Sequence, residues 1–556
     1  MRQIIFISVC CICCFGRLSG QESQEIPEIP DVLPVDSVAD PLSFPLDSLS
    51  SPADSLTLAV SRMDSLRAVW KETFTYVDTS PFRDSLPVYY WRISENLGEF
   101  RPGQPDTLVT GFFNRNYADG WGTSIAYLGN LGTPAISRIF QERETTSLFM
   151  FADAYSIYNR RPGNFDFINT RVPYSKLEYQ SEGDGDTQNE RLRGGISVNL
   201  NKKLNLGFDL DFLYARGRYN HQGAKHIDLV FYSSYFSDRY RYHFFYNNRS
   251  YINDENGGIT DDRYITSPEA IGENQTQNMR SKDIPTRIHD TWNRVKGSRF
   301  FYTHRYNFGF EKETGQVDEE GEDITQFVTV GSIIHTADIH TQQHKFISKD
   351  AGLDTIYARA PYLNAAPHLN MSSNDTTRMW NFKNTLGVSL REGFNRWAKF
   401  DLTAYASFDY RQYLLMERFP TAWVATQTAT FVGGEMAKTT GKILRYRAQA
   451  EFGVLGENLG DVDASGMIET RIPVFRDTAS LTAKAYLKNT TPSFYEQHYH
   501  SKYFWWDRDF NQTQRVYVGG ELNVPHTKSM FSFGVENVTN YVYFDEAALP
   551  RQHSDN

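Results

Sequence analysis

The chain has 556 residues, a net charge of −10, 15% aromatic residues and a mean hydropathy of −0.52. This length could form several soluble domains. Past the N-terminus, however, no stretch of the ~18 residues that a spanning helix needs is both apolar and free of charge, which excludes membrane-spanning helices. The acidic balance argues against nucleic acid or other polyanions as partners.

Residues 1–20 have the pattern of a secretory signal peptide. Arg2 supplies a positive end, residues 4–15 form a short apolar core, and small residues precede Gln21. Removing Arg2 and Arg17 with this segment takes the net charge from −10 to −12. All four cysteines of the chain lie in the signal, at Cys10, Cys11, Cys13 and Cys14. We therefore expect an exported mature chain without disulfides, reactive thiols or metal thiolates.

Residues 21–105 are predicted to form a disordered periplasmic extension, because Pro, Asp and Ser dominate and few residues could build a core. A tripeptide of Asp, Ser and an aliphatic residue recurs in it. Either this is a low-complexity spacer, or it resembles the periplasmic O-glycosylation signal of Bacteroidota. On the second interpretation the modified residues are Ser37, Ser48, Ser55, Ser65 and Ser85.

Residues 106–556 are predicted to form β-strands with one apolar and one polar face. From Lys203 to Tyr214 the side chains alternate, with Leu213 as the one exception, between large apolar residues and polar or small residues. Strands have a period of two, so the two sets lie on opposite faces of the sheet. Similar segments of about 9 to 11 residues, the length that crosses a bilayer when tilted, recur along the chain. This pattern after an export signal is typical of a transmembrane barrel with a polar interior.

The predicted connections between strands alternate between short and long. Short turns are expected at residues 201–203 and 237–238, and long loops at Ser250 to Ser298 and Asn489 to Thr513. Gln412 to Ala425 is predicted to be a wider excursion. Outer-membrane barrels have short periplasmic turns and longer outer loops. The prediction is an all-β, transmembrane, antiparallel up-and-down β-barrel with about 14 to 18 strands in the full-length protein.

Charged residues of the polar face are expected to line the lumen. A dry core could not hold them, because each unpaired buried ion would cost several kcal/mol. Acidic and basic residues nearly balance, so we expect weak ion selectivity. The predicted lining residues are Asp209, Asp211, Arg241, Arg305, Lys383, Arg391, Lys399, Asp401, Asp409, Arg445, Arg447, Glu451, Arg471 and Lys484.

Three alternatives stay open. The segments could be solvated faces of a large soluble β protein. The Ser250 to Ser298 loop could fold inward and plug the lumen of a structural barrel. A barrel enzyme could hide catalytic residues across several strands, although no catalytic or phosphate-binding motif is present. We favour a barrel that is not an enzyme and needs no cofactor.

Two groups of histidines could suggest a metal site. They are His335, His340 and His344, and the pair His498 and His500. Metal ligation needs converging donors with supporting second partners. Polar strand ends or loops are the favoured interpretation.

Four motifs in order resemble landmarks of the putative porin family of Bacteroidota. They are YLGNLGTP at 127–134, FINTRVPY at 167–174, YINDENGGI at 251–259 and YHSKYFWW at 499–506. The resemblance covers about residues 75–550. It implies an outer-membrane porin with a periplasmic N-terminal extension, and it supplies no catalytic residue. Outer-membrane lipid, the assembly machinery and small hydrophilic solutes would be its partners, and association with further copies stays open.

Members of this family continue past the last segment found here and close with an aromatic-ended strand. The sequence therefore leads us to expect a C-terminally truncated barrel domain, with an exposed strand edge if the chain ended at Asn556.

Overall fold

A computed structural model gives the fold of residues 88–554. Within this range it leaves out residues 104–114, 117–119, 122–124, 144–145, 272–278, 318–322, 351–352, 358–372, 395–397, 419–420, 440–442, 475–476, 525–526 and 528. The predicted signal peptide and the five candidate glycosylation serines lie outside the described residues.

Residues 88–170, called the interior segment below, contain short strands and two 3-10 helices. The strands are β1 (Val88–Ile93), β2 (Phe100–Pro102), β3 (Arg115–Asn116), β4 (Gly120–Trp121), β5 (Ile125–Tyr127), β6 (Ala135–Ser137) and β7 (Phe167–Thr170). β1 is rich in aromatic and β-branched residues, which favour strands, and pairs with both β2 and β7. The 3-10 helices are Phe140–Glu142 and Met150–Tyr155.

Fifteen antiparallel strands form one large sheet in sequential order. They are β8 (Tyr174–Glu182), β9 (Asn189–Asn199), β10 (Leu204–Ala215), β11 (Ala224–Phe236), β12 (Tyr240–Asp254), β13 (Thr291–Val317), β14 (Asp323–Ser348), β15 (Ser373–Leu390), β16 (Asp401–Arg418), β17 (Thr421–Lys438), β18 (Leu444–Gly456), β19 (Val462–Val474), β20 (Asp477–Thr490), β23 (Thr513–Val524) and β24 (Ser529–Thr539). Two small hairpins accompany the sheet: β21 (His498–His500) with β22 (Trp505–Asp507), and β25 (Tyr541–Phe544) with β26 (Pro550–His553). Short α-helices lie at Arg263–Thr266, Leu353–Ile356 and Phe494–Gln497.

The alternation predicted for β10 is present. On one face, Asn205 and Gly207 are buried, whereas Phe208 and Tyr214 on the other are 43% and 38% exposed. We call the first face the inner face and the second the outer face. Exposed apolar side chains mark the outer face along the sheet, including Phe300, Leu386, Val432 and Phe533.

The sheet curves around the interior segment. Arg160 makes ion pairs with Asp209 on β10 and Asp228 on β11. At the far side of the sheet, Arg515 on β23 donates a hydrogen bond to the Arg143 carbonyl. One short segment can contact the inner face from β10 to β23 only if the sheet wraps around it. The architecture is therefore the predicted all-β antiparallel barrel.

The connections divide the barrel into two ends. One, the short-turn end, has connections such as residues 200–203, 237–239 and 475–476. The other, the long-loop end, carries longer connections, of which the structure describes 255–271, 279–290, 349–350, 353–357 and 491–512. The predicted excursion at Gln412 to Ala425 is wrong: β16 and β17 pair through this region, with Arg411 opposite Gln427 and only residues 419–420 between the strands.

Strand lengths exceed the predicted 9 to 11 residues. β13 and β14 have 27 and 26 residues. Their pairing continues past Phe308 and Gly331, beyond the last partners that β12 and β15 provide at Tyr306 and Gly331. Residues 309–317 and 323–330 thus form a two-stranded arm, the projecting hairpin, at the short-turn end.

Two aromatic clusters occupy the interior. Near the short-turn end, Trp91 and Phe167 pack against Tyr232, Phe245 and Phe301 on the inner face of the sheet. Near the long-loop end, residues from the 491–512 connection and the interior segment pack together against the sheet, including Phe149, Tyr155, Tyr413, Phe494 and Tyr495. Among the described helices, none has the length and apolar character needed to cross a membrane.

The residues that pack inside the sheet belong to the interior segment and the 491–512 connection, whereas the plugged-lumen alternative named the Ser250 to Ser298 loop. The Ser250 to Ser298 stretch contains the ends of β12 and β13, and the loop between them contacts other connections at the long-loop end, for example Lys282 with Tyr219. From the sequence, residues 88–105 are expected to belong to the periplasmic extension. The structure places Val88–Pro102 against the inner face, because Trp91 finds an aromatic environment there.

Candidate functional site: the inner face of the sheet

Thirteen of the fourteen predicted lining residues share the inner face. The strand register shows this directly, since Arg241 lies opposite Arg305 and Lys383 opposite Asp409. The exception is Lys399, an exposed residue of the turn between β15 and β16. The thirteen are Asp209, Asp211, Arg241, Arg305, Lys383, Arg391, Asp401, Asp409, Arg445, Arg447, Glu451, Arg471 and Lys484.

From β10 to β16 the inner face is covered, and its charged side chains are ion-paired or hydrogen-bonded, as Arg249 is to Asn247 and Gln342. Arg299 is 4% exposed and lies 2.6 Å from Asp338 on β14. Arg411 makes two hydrogen bonds to the Asp409 carboxylate, and both residues are buried. The Arg299–Asp338 pair is bidentate, and such pairs offset much of the cost of removing both ions from water. We call this part of the inner face the covered side.

From β18 to β24 the inner face is open. Gln449, Met467, Lys484 and Ser532 are exposed on it, and most other inner side chains there are half-buried. Two of its ion pairs are long, with Lys488 Nζ 3.5 Å from Asp463 and Arg471 Nε 3.7 Å from Glu469. Arg515 and Glu536, at the β23–β24 edge, form a buried pair at 2.7 Å. We call this the open side. Polar and charged groups of both signs contact solvent here on the concave face of the sheet.

The turn between β1 and β2, residues 94–99, is inserted into the wall near the short-turn end. Glu95 lies 2.7 Å from Arg299, and Glu99 lies 2.5 Å from Arg305 and 3.5 Å from Arg391. Asn96 accepts a hydrogen bond from Lys383 at 3.0 Å. Burial raises the pKa of the Glu95 carboxyl, but the charge and hydrogen bond of Arg299 outweigh it and hold the pKa below its ordinary value.

A small cavity of about 20 Å³ lies beside this turn. Its lining includes Glu99, Arg241, His243, Arg305 and Arg391. Arg305 and Arg391 contact the carboxylate of Glu99, Arg241 lines the same cavity, and this volume has room for about one water molecule.

The histidine groups are divided by the fold. His335 lies on the outer face, within 3.0 Å of His304 and of Asn384, whereas His340 and His344 lie on the inner face. His340 contacts Asp338, and His344 contacts Asn293. His498 and His500 both contact Asp507 at 3.0 Å across the β21–β22 hairpin. In the part of the chain that the structure describes, no group of three His, Cys, Asp or Glu residues is arranged to hold a metal ion.

Several residues of this region were missed from sequence. Glu95 and Glu99 lie in a stretch assigned to the extension, and Tyr232, Phe245 and Phe301 are apolar residues on the inner face. The available signal was the loss of alternation in β11 and β12, where both faces carry aromatic residues. A strand with two apolar faces indicates that something packs against each of them.

Similarity to solved structures is weak. The siderophore receptor PirA from Acinetobacter baumannii shares 9% identity at a TM-score of 0.42, covering 68% of this chain and 55% of that chain. A variant of the ferric enterobactin receptor PfeA from Pseudomonas aeruginosa shares 11% at 0.43, covering 68% and 56%. The ferric citrate transporter FecA shares 9% at 0.37, covering 74% and 65%. The chain thus spans a little over half of the length of the first two receptors.

A comparison with curated proteins gave no match. The model of the family described as "Putative porin" matches residues 87–556, from just before β1 to the last residue of the chain. This range contains the interior segment and all strands of the curved sheet. The chain therefore belongs to this porin family and forms an outer-membrane β-barrel.

Proposed function

We propose that the protein is a porin that passes small hydrophilic solutes across the outer membrane by passive diffusion. The observation that carries this proposal is the open side, where polar and charged side chains of both signs face solvent inside a curved sheet whose outer face is apolar. Near-balance of charge favours weak ion selectivity. Lipid and the assembly machinery are the partners that this role requires, with the N-terminal extension in the periplasm.

The mechanism needs no catalytic group or cofactor. Solutes would move along a path whose inner wall includes Gln449, Glu451, Met467 and Lys484, with the interior segment opposite. Charges of both signs on one wall can replace part of the hydration of a passing ion without binding it tightly, which permits entry and release.

The test is conductance of the purified protein in planar bilayers. We expect steady current steps with a reversal potential near zero in equal-mobility salt gradients. Lys484→Glu should shift the reversal potential in the direction of cation selectivity, because it replaces a positive charge on the open side with a negative one. Lys225→Glu makes the same change at an exposed outer-face position and should leave the potential unchanged.

A second candidate is a structural barrel that does not conduct. It is favoured by the interior segment and the 491–512 connection, which fill the covered side with buried aromatic residues. A folded, membrane-inserted protein that is electrically silent would support this candidate and remove the diffusion proposal.

A further inference from the structure

The 94–99 turn contacts the inner face of the sheet through apolar packing and through ion pairs and a hydrogen bond of individual residues. Leu97 is 3% exposed and lies against Gly387 of β15. Gly98 has a φ of +59° and lies against Thr303, so close that a side chain at this position would collide with it. Each residue from Glu95 to Glu99 thus has a partner on β13, β14 or β15.

The wall at this point is built to receive negative charge. Arg241 and Arg305 face each other across β12 and β13, and Arg391 lies beside them around the same small cavity. Arg391 also contacts Asp401 at 3.4 Å. With Glu99 removed, like charges would remain close together in a partly buried place, which is unfavourable. Charge pairing therefore acts together with the packing of Leu97 to hold the docked turn.

The position of the turn relates it to the open side. Arg101 in β2 lies near Glu435 on β17 and Arg447 on β18, where the covered side meets the open side. Displacement of the β1–β2 hairpin would therefore uncover the inner face from β13 to β17 and join it to the open side.

We infer that the 94–99 turn is a releasable latch that narrows the passage at the short-turn end, held by Glu95 on Arg299 and by Glu99 on Arg305 and Arg391. Release widens the passage and exposes the three arginines to solutes. The inference that the turn can be released is drawn from its contacts with the sheet. The inference that its release changes conduction rests on the proposed function.

The first experiment measures release without any current. Leu97→Cys introduces a buried thiol. We expect it to be the single thiol of the mature chain, because all four native cysteines lie in the predicted signal. A water-soluble maleimide should label it slowly, and the added pair Glu95→Gln and Glu99→Gln should speed labelling at least tenfold. Glu269→Gln, an exposed glutamate in the 255–290 loop, is the matched control and should change nothing.

Should the glutamine pair prevent folding, the wall offers a second route. Arg305→Gln with Arg391→Gln leaves Glu99 without its partners and should also accelerate labelling of Leu97→Cys tenfold. Equal labelling rates in folded variants of either kind and in the parent would overturn the latch.

The second experiment measures conduction. Glu95→Gln with Glu99→Gln should raise mean conductance at least twofold. A disulfide between Leu97→Cys and Gly387→Cys should lower it, with reducing agent restoring the parent value. If the parent conducts and none of these changes alters the current, the turn does not narrow the passage. If the parent and every variant are silent, the diffusion proposal fails and the labelling rates alone decide the latch.

Discussion

At the scale of single residues, tyrosines of the inner face lie over glycines of neighbouring strands. Tyr232 covers Gly207 opposite it on β10, and Tyr405 covers Gly433 opposite it on β17. A side chain at either glycine would overlap the ring. A large ring beside a missing side chain fills the surface of a curved sheet and compensates for the weak strand propensity of glycine.

Gly207→Val is expected to destabilise the barrel by about 1–3 kcal/mol, because Tyr232 must leave the aromatic cluster around Trp91. The measurement is the temperature at which the folded band is lost in a heat-modifiability gel. Gly194→Val is the control, since its added side chain would point to the outer face with Leu177 Cδ1 3.8 Å away. An equal loss of stability in both variants would show that valine itself, and not the ring contact, is responsible.

At the scale of elements, β13 and β14 show that two strands can continue to pair with each other beyond the length shared with their other neighbours in the sheet. Beyond Phe308 and Gly331 the two strands pair only with each other in the described structure. The projecting hairpin touches the rest of the sheet through few contacts, such as an exposed pair between Arg239 and Glu311 at 4.0 Å. An exposed pair of this kind contributes little to stability.

Replacing residues 309–330 with Asn-Gly is therefore expected to leave the barrel folded and inserted. A two-residue turn suits the strands that flank it, because Phe308 and Gly331 are already opposite partners. Folding is measured by heat modifiability and by resistance of the membrane-embedded protein to protease. Thr336→Pro, inside the part of β14 that has two neighbours, is the contrast and should prevent folding. Loss of folding on hairpin replacement would show that the arm stabilises the sheet.

The elements that sequence predicted best are those with one lipid-facing and one polar face. β10 alternates because Phe208 and Tyr214 face outward while Asn205 and Gly207 face inward. The prediction of a polar inner face failed where the interior segment packs against the sheet. Phe245 and Phe301 are apolar on the inner face because Trp91 packs against them. Lys399 was predicted to line the lumen but lies in the turn between β15 and β16. A charged residue beside a strand does not show whether it belongs to the strand or to the turn. Partners distant in sequence, such as Glu95 and Arg299, leave no local pattern.

At the scale of the whole molecule, the barrel interior is divided lengthwise. The inner face from β10 to β16 is buried under the interior segment and the 491–512 connection, with Asn247 at 0% exposure. The inner face from β18 to β24 remains open to solvent among the described residues. A passage of this form would conduct less than an empty barrel with the same number of strands, since only part of its cross-section holds water.

This division predicts a pattern of chemical accessibility that an empty or a completely filled barrel would not produce. Met467 and Ile468 are neighbours on β19, 39% and 51% exposed, yet the first faces the open side and the second faces outward. With the protein in a lipid bilayer, a charged thiol reagent should modify Met467→Cys and reduce conductance, because the added group narrows the water path. Ile468→Cys should stay unmodified, because hydrocarbon excludes a charged reagent. Asn247→Cys should also resist, since the interior segment covers it. Modification of Asn247→Cys as fast as Met467→Cys would mean that the covered side holds water, whereas protection of both would leave no path for solutes.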